Sequence, residues 1–165
     1  MDTATKEYWG PRVWRMLHLL ANISDRSDVP SVWRQLLRIT AVTLPCEKCR
    51  VHFTGYLKTH TIIGSTNPTK ITGLLVRETI KDNLRIFHND VNARLGKPQI
   101  SREEYNVMYP PRLRHEILLE VQNLFNELKD IWTPLVHRSI TQGNFMVWKN
   151  TMTLLLALIG GGSTP

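Results

Sequence analysis

Apolar residues recur at three- and four-residue intervals along almost the whole chain, and nowhere do they alternate long enough to build a sheet. From Tyr8 to about Ala21, the residues Val13, Trp14, Leu17, Leu20 and Ala21 line one helix face. Ser31 is placed to cap a second helix reaching about Leu44, with Val32, Leu36, Ile39 and Val42 or Thr43 inward. A third starts at Cys46 and runs to about Lys58, with Pro45 at an early position where its missing N–H does no harm. Gly64, Ser65, Asn67 and Pro68 make Ile62 to Pro68 a loop. A long fourth helix is predicted from about Thr69 to Leu95, with Gly96 as its left-handed stop and Pro98 blocking continuation. Ser101-Arg102-Glu103-Glu104 has the form of a capping box and opens a short fifth helix, which Pro110-Pro111 ends. Leu113 to Trp132 then carries Ile117, Leu118, Val121, Leu124, Phe125, Leu128 and Ile131 at helical spacing. The pattern is all-α, with a compact bundle at 1–110 and an added helical segment at 111–165.

Between Phe145 and Ile159 the chain is apolar apart from Lys149, Asn150 and a few threonines, before a Gly-rich end at Gly160 to Pro165. This run falls short of the roughly 20 residues that span a bilayer. It is expected to pack against the domain or against another copy. The opening residues, Met1 to Glu7, carry no apolar run and so predict no secretory leader.

With 42% hydrophobic residues in 165, one domain can bury a core without metal or disulfide support. The net charge of +7 comes from 21 Lys and Arg that form no block, which reads as a solvated basic surface rather than a nucleic-acid footprint.

Composition leaves the cysteines as the sharpest chemical signal. The chain has two, Cys46 and Cys49, in Leu44-Pro45-Cys46-Glu47-Lys48-Cys49. Cys-x-x-Cys closes a small redox-active disulfide or supplies half a metal site. As a staple it is poor, because it closes a very short loop. A helix start favours thiolate, so the position is chemically loaded. Other polar groups share one-turn spacing: Trp14 with His18, and His88 with Asn92, Asn89 lying beside His88. His52 lies three residues past Cys49, and Lys97 follows the fourth helix. Two chemistries fit these residues. One is a thiol redox centre; the alternative is a zinc site of Cys46, Cys49, His52 and His88. A thioredoxin-like protein needs a βαβ pattern that is missing here, and no Gly-x-Gly-x-x-Gly follows a strand.

Three blocks carry a resemblance. They are Trp9-Gly10-Pro11-Arg12-Val13-Trp14-Arg15-Met16-Leu17-His18, then Pro45-Cys46-Glu47-Lys48-Cys49-Arg50-Val51-His52-Phe53, then Phe87-His88-Asn89-Asp90-Val91-Asn92-Ala93-Arg94-Leu95-Gly96-Lys97-Pro98. In this order they resemble the Erv/ALR family of FAD-dependent sulfhydryl oxidases over roughly residues 8–109. The compact layout is most similar to the forms carried by large cytoplasmic DNA viruses. The resemblance implies a four-helix bundle plus a short fifth helix, holding FAD noncovalently. It implies dithiol oxidation through Cys46 and Cys49, with electrons passing by way of FAD to oxygen and giving hydrogen peroxide. Cys46 is then the sulfur attacked by substrate and Cys49 the flavin-side sulfur. The cofactor-binding positions carried over are Arg12, Trp14, His18, His52, His88, Asn89, Asn92, Lys97 and Tyr105, with Tyr105 standing near a tryptophan of many members.

The resemblance further implies a homodimer through the first two helices, protein dithiols or a separate thiol-disulfide relay protein as partners, and residence in the host cytoplasm, with or without packaging into particles. Many members have a second, shuttle cysteine pair; this chain has none, so partners are expected to reach Cys46 directly.

Overall fold

The computed structural model describes residues 2–63 and 72–161. Among them the fold is all-α. Its helices are α1 (Lys6–Asn22), α2 (Pro30–Thr43), α3 (Glu47–Thr59), α4 (Gly73–Arg94), α5 (Arg102–Met108), α6 (Arg114–Trp132) and α7 (Gln142–Gly160). A single 3-10 turn at Thr133–Leu135 follows α6.

Local chemistry explains where most of these begin and end. Helix α2 starts two residues earlier than the Ser31 cap predicts, with Val29 rather than Ser31 at the N-cap. Pro30 takes the first helical position, where a missing N–H costs nothing, and Val29 precedes it without a side-chain cap. Pro45 lies outside α3, because Cys46 is itself the N-cap. Helix α4 is capped at Thr72, whose hydroxyl accepts the Leu75 N–H at 3.2 Å. The expected start at Thr69 and most of the expected loop fall outside the described residues. Gly73 fits that start because a Cβ there would overlap the Asp25 carbonyl in the α1–α2 connection.

The other end of α4 follows the sequence reading. Gly96 has φ of +68°, the Gly96 N–H donates to Ala93 O at 3.3 Å, and Lys97 N–H donates to Asn92 O at 2.8 Å. The capping box of α5 is formed in both directions, with the Ser101 hydroxyl accepting from Glu104 N–H and the Glu104 carboxylate accepting from Ser101 N–H.

Helix α1 packs on α4 and on α6, while α2 packs on α3 and on α7. The C-terminal helices therefore lie against the first two rather than forming a body of their own. One aromatic seam joins the parts: Trp9 meets Trp132 edge-on at 5.9 Å, Trp132 meets Trp148 at 4.7 Å, and Phe125 meets Trp148 at 5.3 Å. Trp132 and Trp148 are fully buried. Removing such a ring from water contributes about 2–3 kcal/mol. Ion pairs flank the seam, with Arg12 on Glu127 at 2.8 Å and Arg15 on Glu120 at 2.6 Å. Arg50 of α3 donates to Leu44 O at 2.7 Å and to Ser139 O at 3.2 Å, fastening the start of α3 to the α6–α7 connection. Among the described residues no helix is long and apolar enough to cross a membrane.

Candidate active site

The cysteines meet because α3 begins between them. Cys46 is extended, Glu47 is the first helical residue, and the Cα atoms of Cys46 and Cys49 come within 5.1 Å, joined by a disulfide. The Cys46 sulfur accepts the Cys49 N–H at 3.2 Å, so the free backbone donor of this helix start is aimed at Cys46. Both sulfurs are partly buried, packed on the edge of the core.

One turn below Cys49, on the same face of α3, Phe53 enters an aromatic and imidazole cluster. Phe53 lies 5.8 Å from Trp14 and 4.5 Å from Phe87. Trp14 stacks on His88 at 4.2 Å with 4° between the planes. His18 and His88 share a hydrogen bond, Nε2 to Nδ1, at 2.9 Å. Tyr105 and Tyr109 close the far side, at 5.1 and 5.0 Å from His18. Trp14 and His18 face α4 because they are i and i+4 on α1, while Arg12 and Arg15 turn toward α6.

Burial decides the charge state of the cluster. His18 is pushed down to about 3 by loss of hydration, with the neighbouring His88 adding to it. His88 falls to about 4 through burial first and the Lys97 charge second. Both rings are neutral at neutral pH, one donating and one accepting in their shared bond. Burial also raises the Tyr105 phenol.

Among the carried-over positions, Trp14, His18, His88 and Tyr105 form the cluster, with Asn92 buried on α4 and Lys97 acting on His88 through its charge. Asn89 spends both ends of its amide on Ile100, donating at 2.8 Å and accepting at 2.7 Å, which pins the segment after α4. His52 is exposed on α3. Arg12 holds Glu127 on α6 and lies over the Tyr8 ring at 3.8 Å, away from the cluster. Sequence reasoning missed Phe53, Phe87 and Tyr109. The first two looked like ordinary core residues. Tyr109 had a signal, because it follows Tyr105 by four residues, but its place before Pro110-Pro111 marked it as a helix end.

Two observations test whether this site suits a flavin dinucleotide. His18 Nδ1 is buried with no hydrogen-bond partner, and the buried Tyr105 hydroxyl makes no well-formed hydrogen bond. Flat rings with two waiting polar atoms match a heteroaromatic ligand with polar edges. Beside them, a groove of about 470 Å³ runs between α4 and α5, walled by Tyr105 and by Lys81, Arg85 and Arg102, whose charges are paired with Glu78 and Asp82 in the same walls. The residues fit. The zinc alternative does not: Cys46 and Cys49 are bonded to each other, His88 bonds His18, and among the described residues no three His, Cys, Asp or Glu come together to hold a metal ion.

Comparison with known proteins agrees. The chain is similar to the FAD-linked sulfhydryl oxidase of African swine fever virus from a Namibian warthog isolate, 35% identical over 108 residues, covering 62% of this chain and 80% of that protein. It is 34% identical over 116 residues to the same enzyme of a Malawian tick isolate, covering 67% and 87%. It is 32% identical over 93 residues to a putative FAD-linked sulfhydryl oxidase of Invertebrate iridescent virus 6, covering 54% and 81%. No solved structure matches the chain. The family model described as Erv1/Alr spans residues 11–110, which holds every group of the cluster and both cysteines, and on that match the chain belongs to the Erv1/Alr family.

Proposed function

We propose that the protein is an FAD-dependent sulfhydryl oxidase that forms disulfides in protein dithiols through Cys46 and Cys49, with oxygen as final acceptor and hydrogen peroxide as product. The observation that carries this reading is the partly buried Cys46–Cys49 disulfide, one helical turn from an unsatisfied aromatic and imidazole cluster. The names of its viral relatives point the same way.

A substrate thiolate attacks Cys46 Sγ, the Cys46–Cys49 bond breaks, and Cys49 leaves as a thiolate. The second substrate thiol, deprotonated, attacks the substrate sulfur of the mixed disulfide and releases Cys46 as a thiolate. The substrate has lost two electrons and two protons, and the cysteine pair holds the electrons. The helix N-terminus and the Cys49 N–H stabilise negative charge on Cys46, which makes it a good leaving group in that second step. Trp14, His18, His88 and Tyr105 would hold the cofactor, with Asn92 and Lys97 alongside; FAD, when bound, supplies the two-electron acceptor between the dithiol and oxygen. The histidines stay neutral, presenting one donor and one acceptor rather than a second positive charge beside Lys97.

The test is direct. Purified protein is expected to show a flavin spectrum, to consume oxygen with a dithiol and to release peroxide. Cys49→Ser should keep the flavin, lose turnover and trap substrate as a mixed disulfide on Cys46. A protein that takes up no flavin, or a Cys49→Ser variant oxidising dithiols at near wild-type rate, rules the reading out.

A further inference from the structure

The cluster around His18 is built from α1, α3, α4 and α5, yet one of its walls is tied to the segment beyond the matched family span. Tyr109 is buried, 5.0 Å from His18 and 4.9 Å from Tyr105. Its outer side faces Arg15, whose guanidinium carbon is 5.7 Å from the ring centroid. Arg15 is adjacent to Trp14 on α1 but turns to α6. There its Nε and Nη2 donate to both oxygens of Glu120, at 2.6 and 3.1 Å. Arg112, three residues past Tyr109, returns to the same carboxylate at 3.1 Å. One carboxylate thus gathers both ends of a short path: Arg15, which borders the Tyr109 ring, and Arg112, which ends the Pro110-Pro111 segment leaving it.

We propose that Glu120 of α6 is a positioning residue for the cofactor cleft, holding the Tyr109 ring against His18 through Arg15 and Arg112. The C-terminal segment then helps to shape the site as well as to cover α1. This rests on the reading of the cleft as the FAD site. Ion pairs open to solvent add little to overall stability, and Arg15 and Glu120 keep 43% and 28% of their side-chain surface. What the pair supplies is geometry: a two-point fork fixes the guanidinium that borders the ring. Charge states agree, since the Arg15 hydrogen bond first and Arg112 after it hold the Glu120 carboxyl below the usual carboxylate range. The same two helices offer an internal control. Arg12 and Glu127 also pair across α1 and α6, but Arg12 lies over Tyr8, outside the cleft.

The test titrates FAD into the full-length flavin-stripped protein, following flavin fluorescence, for the wild type, Glu120→Gln, Glu120→Ala and Glu127→Gln, with thermal melts of each. Glu120→Gln and Glu120→Ala are expected to raise the Kd for FAD roughly two- to thirtyfold and to shift the bound flavin's visible band, the scale of mutations along a coupled network. Glu127→Gln should bind like the wild type, with all melts close together. Arg15→Ala with Glu120→Ala should lose less affinity than the two single losses combined, because the two variants break a shared link and only the Arg112 contact is left for Glu120→Ala to remove. Equal losses in Glu120→Gln and Glu127→Gln would mark a general weakening of the α1–α6 contact and overturn the proposal, as would unchanged binding by both Glu120 variants. A wild type that binds no FAD overturns the oxidase reading and this inference with it; a wild type that binds while the Glu120 variants match it overturns this inference alone.

Discussion

His18 and His88 share one hydrogen bond inside a shell of tryptophan, phenylalanine and tyrosine rings, so a proton on either is costly. Both folded-state values, about 3 and about 4, lie below the value of 6.5 for an unperturbed histidine. The unfolded chain therefore binds more protons between these limits, and stability falls as pH drops from 6.5 toward 4. The expected loss at pH 4 is on the order of a few kcal/mol, checked by urea midpoints across that range. His88→Gln, which cannot take the proton, should flatten part of the profile. These partners were partly legible from spacing, since i and i+4 put Trp14 with His18 on one face. What met that face was not legible. Phe53, Phe87 and Tyr109 join the cluster through packing between helices, and a pattern along one helix does not report its neighbours.

Helix ends show the same division between local and distant causes. The stop at Gly96 and the box at Ser101 are built from residues within a few positions of each other, and sequence alone located both. The start of α4 is different, because it is set where Gly73 meets the Asp25 backbone, a contact nearly fifty residues away. Gly73→Ala should then cost about 1–3 kcal/mol, as overpacking against a fixed backbone does. Gly96→Ala should cost about 1 kcal/mol through left-handed strain alone. Thermal melts of the two variants, read against wild type, separate these effects. Near-identical melting of Gly73→Ala and wild type would show that the α1–α2 connection yields freely.

At the scale of the whole molecule, the first two helices carry α6 and α7 as partners from their own chain. A homodimer built on the surfaces of α1 and α2 covered by those helices would have to displace them, together with the Trp9, Trp132 and Trp148 seam. Equilibrium sedimentation of the whole chain reports whether the parts of α1 and α2 left uncovered pair in a homodimer, and a chain ending at residue 110 is expected to self-associate more strongly or to unfold. A stable, monomeric 1–110 fragment would show that the seam contributes little. Trp148→Ala should cost about 3–5 kcal/mol by leaving a cavity among rings. The sequence showed that the last apolar run would bury itself; it held no statement of where, because an apolar face specifies burial and leaves the partner open.

One guanidinium links two places that are far apart along the chain. Arg50 grips the carbonyl just ahead of the cysteines and another in the bend between the last two helices. Opening the disulfide is expected to loosen the first turn of α3, and Arg50 ties that turn to Ser139. Deuterium uptake at the bend should accordingly differ between oxidised and reduced protein, giving a redox readout at a place that holds no sulfur.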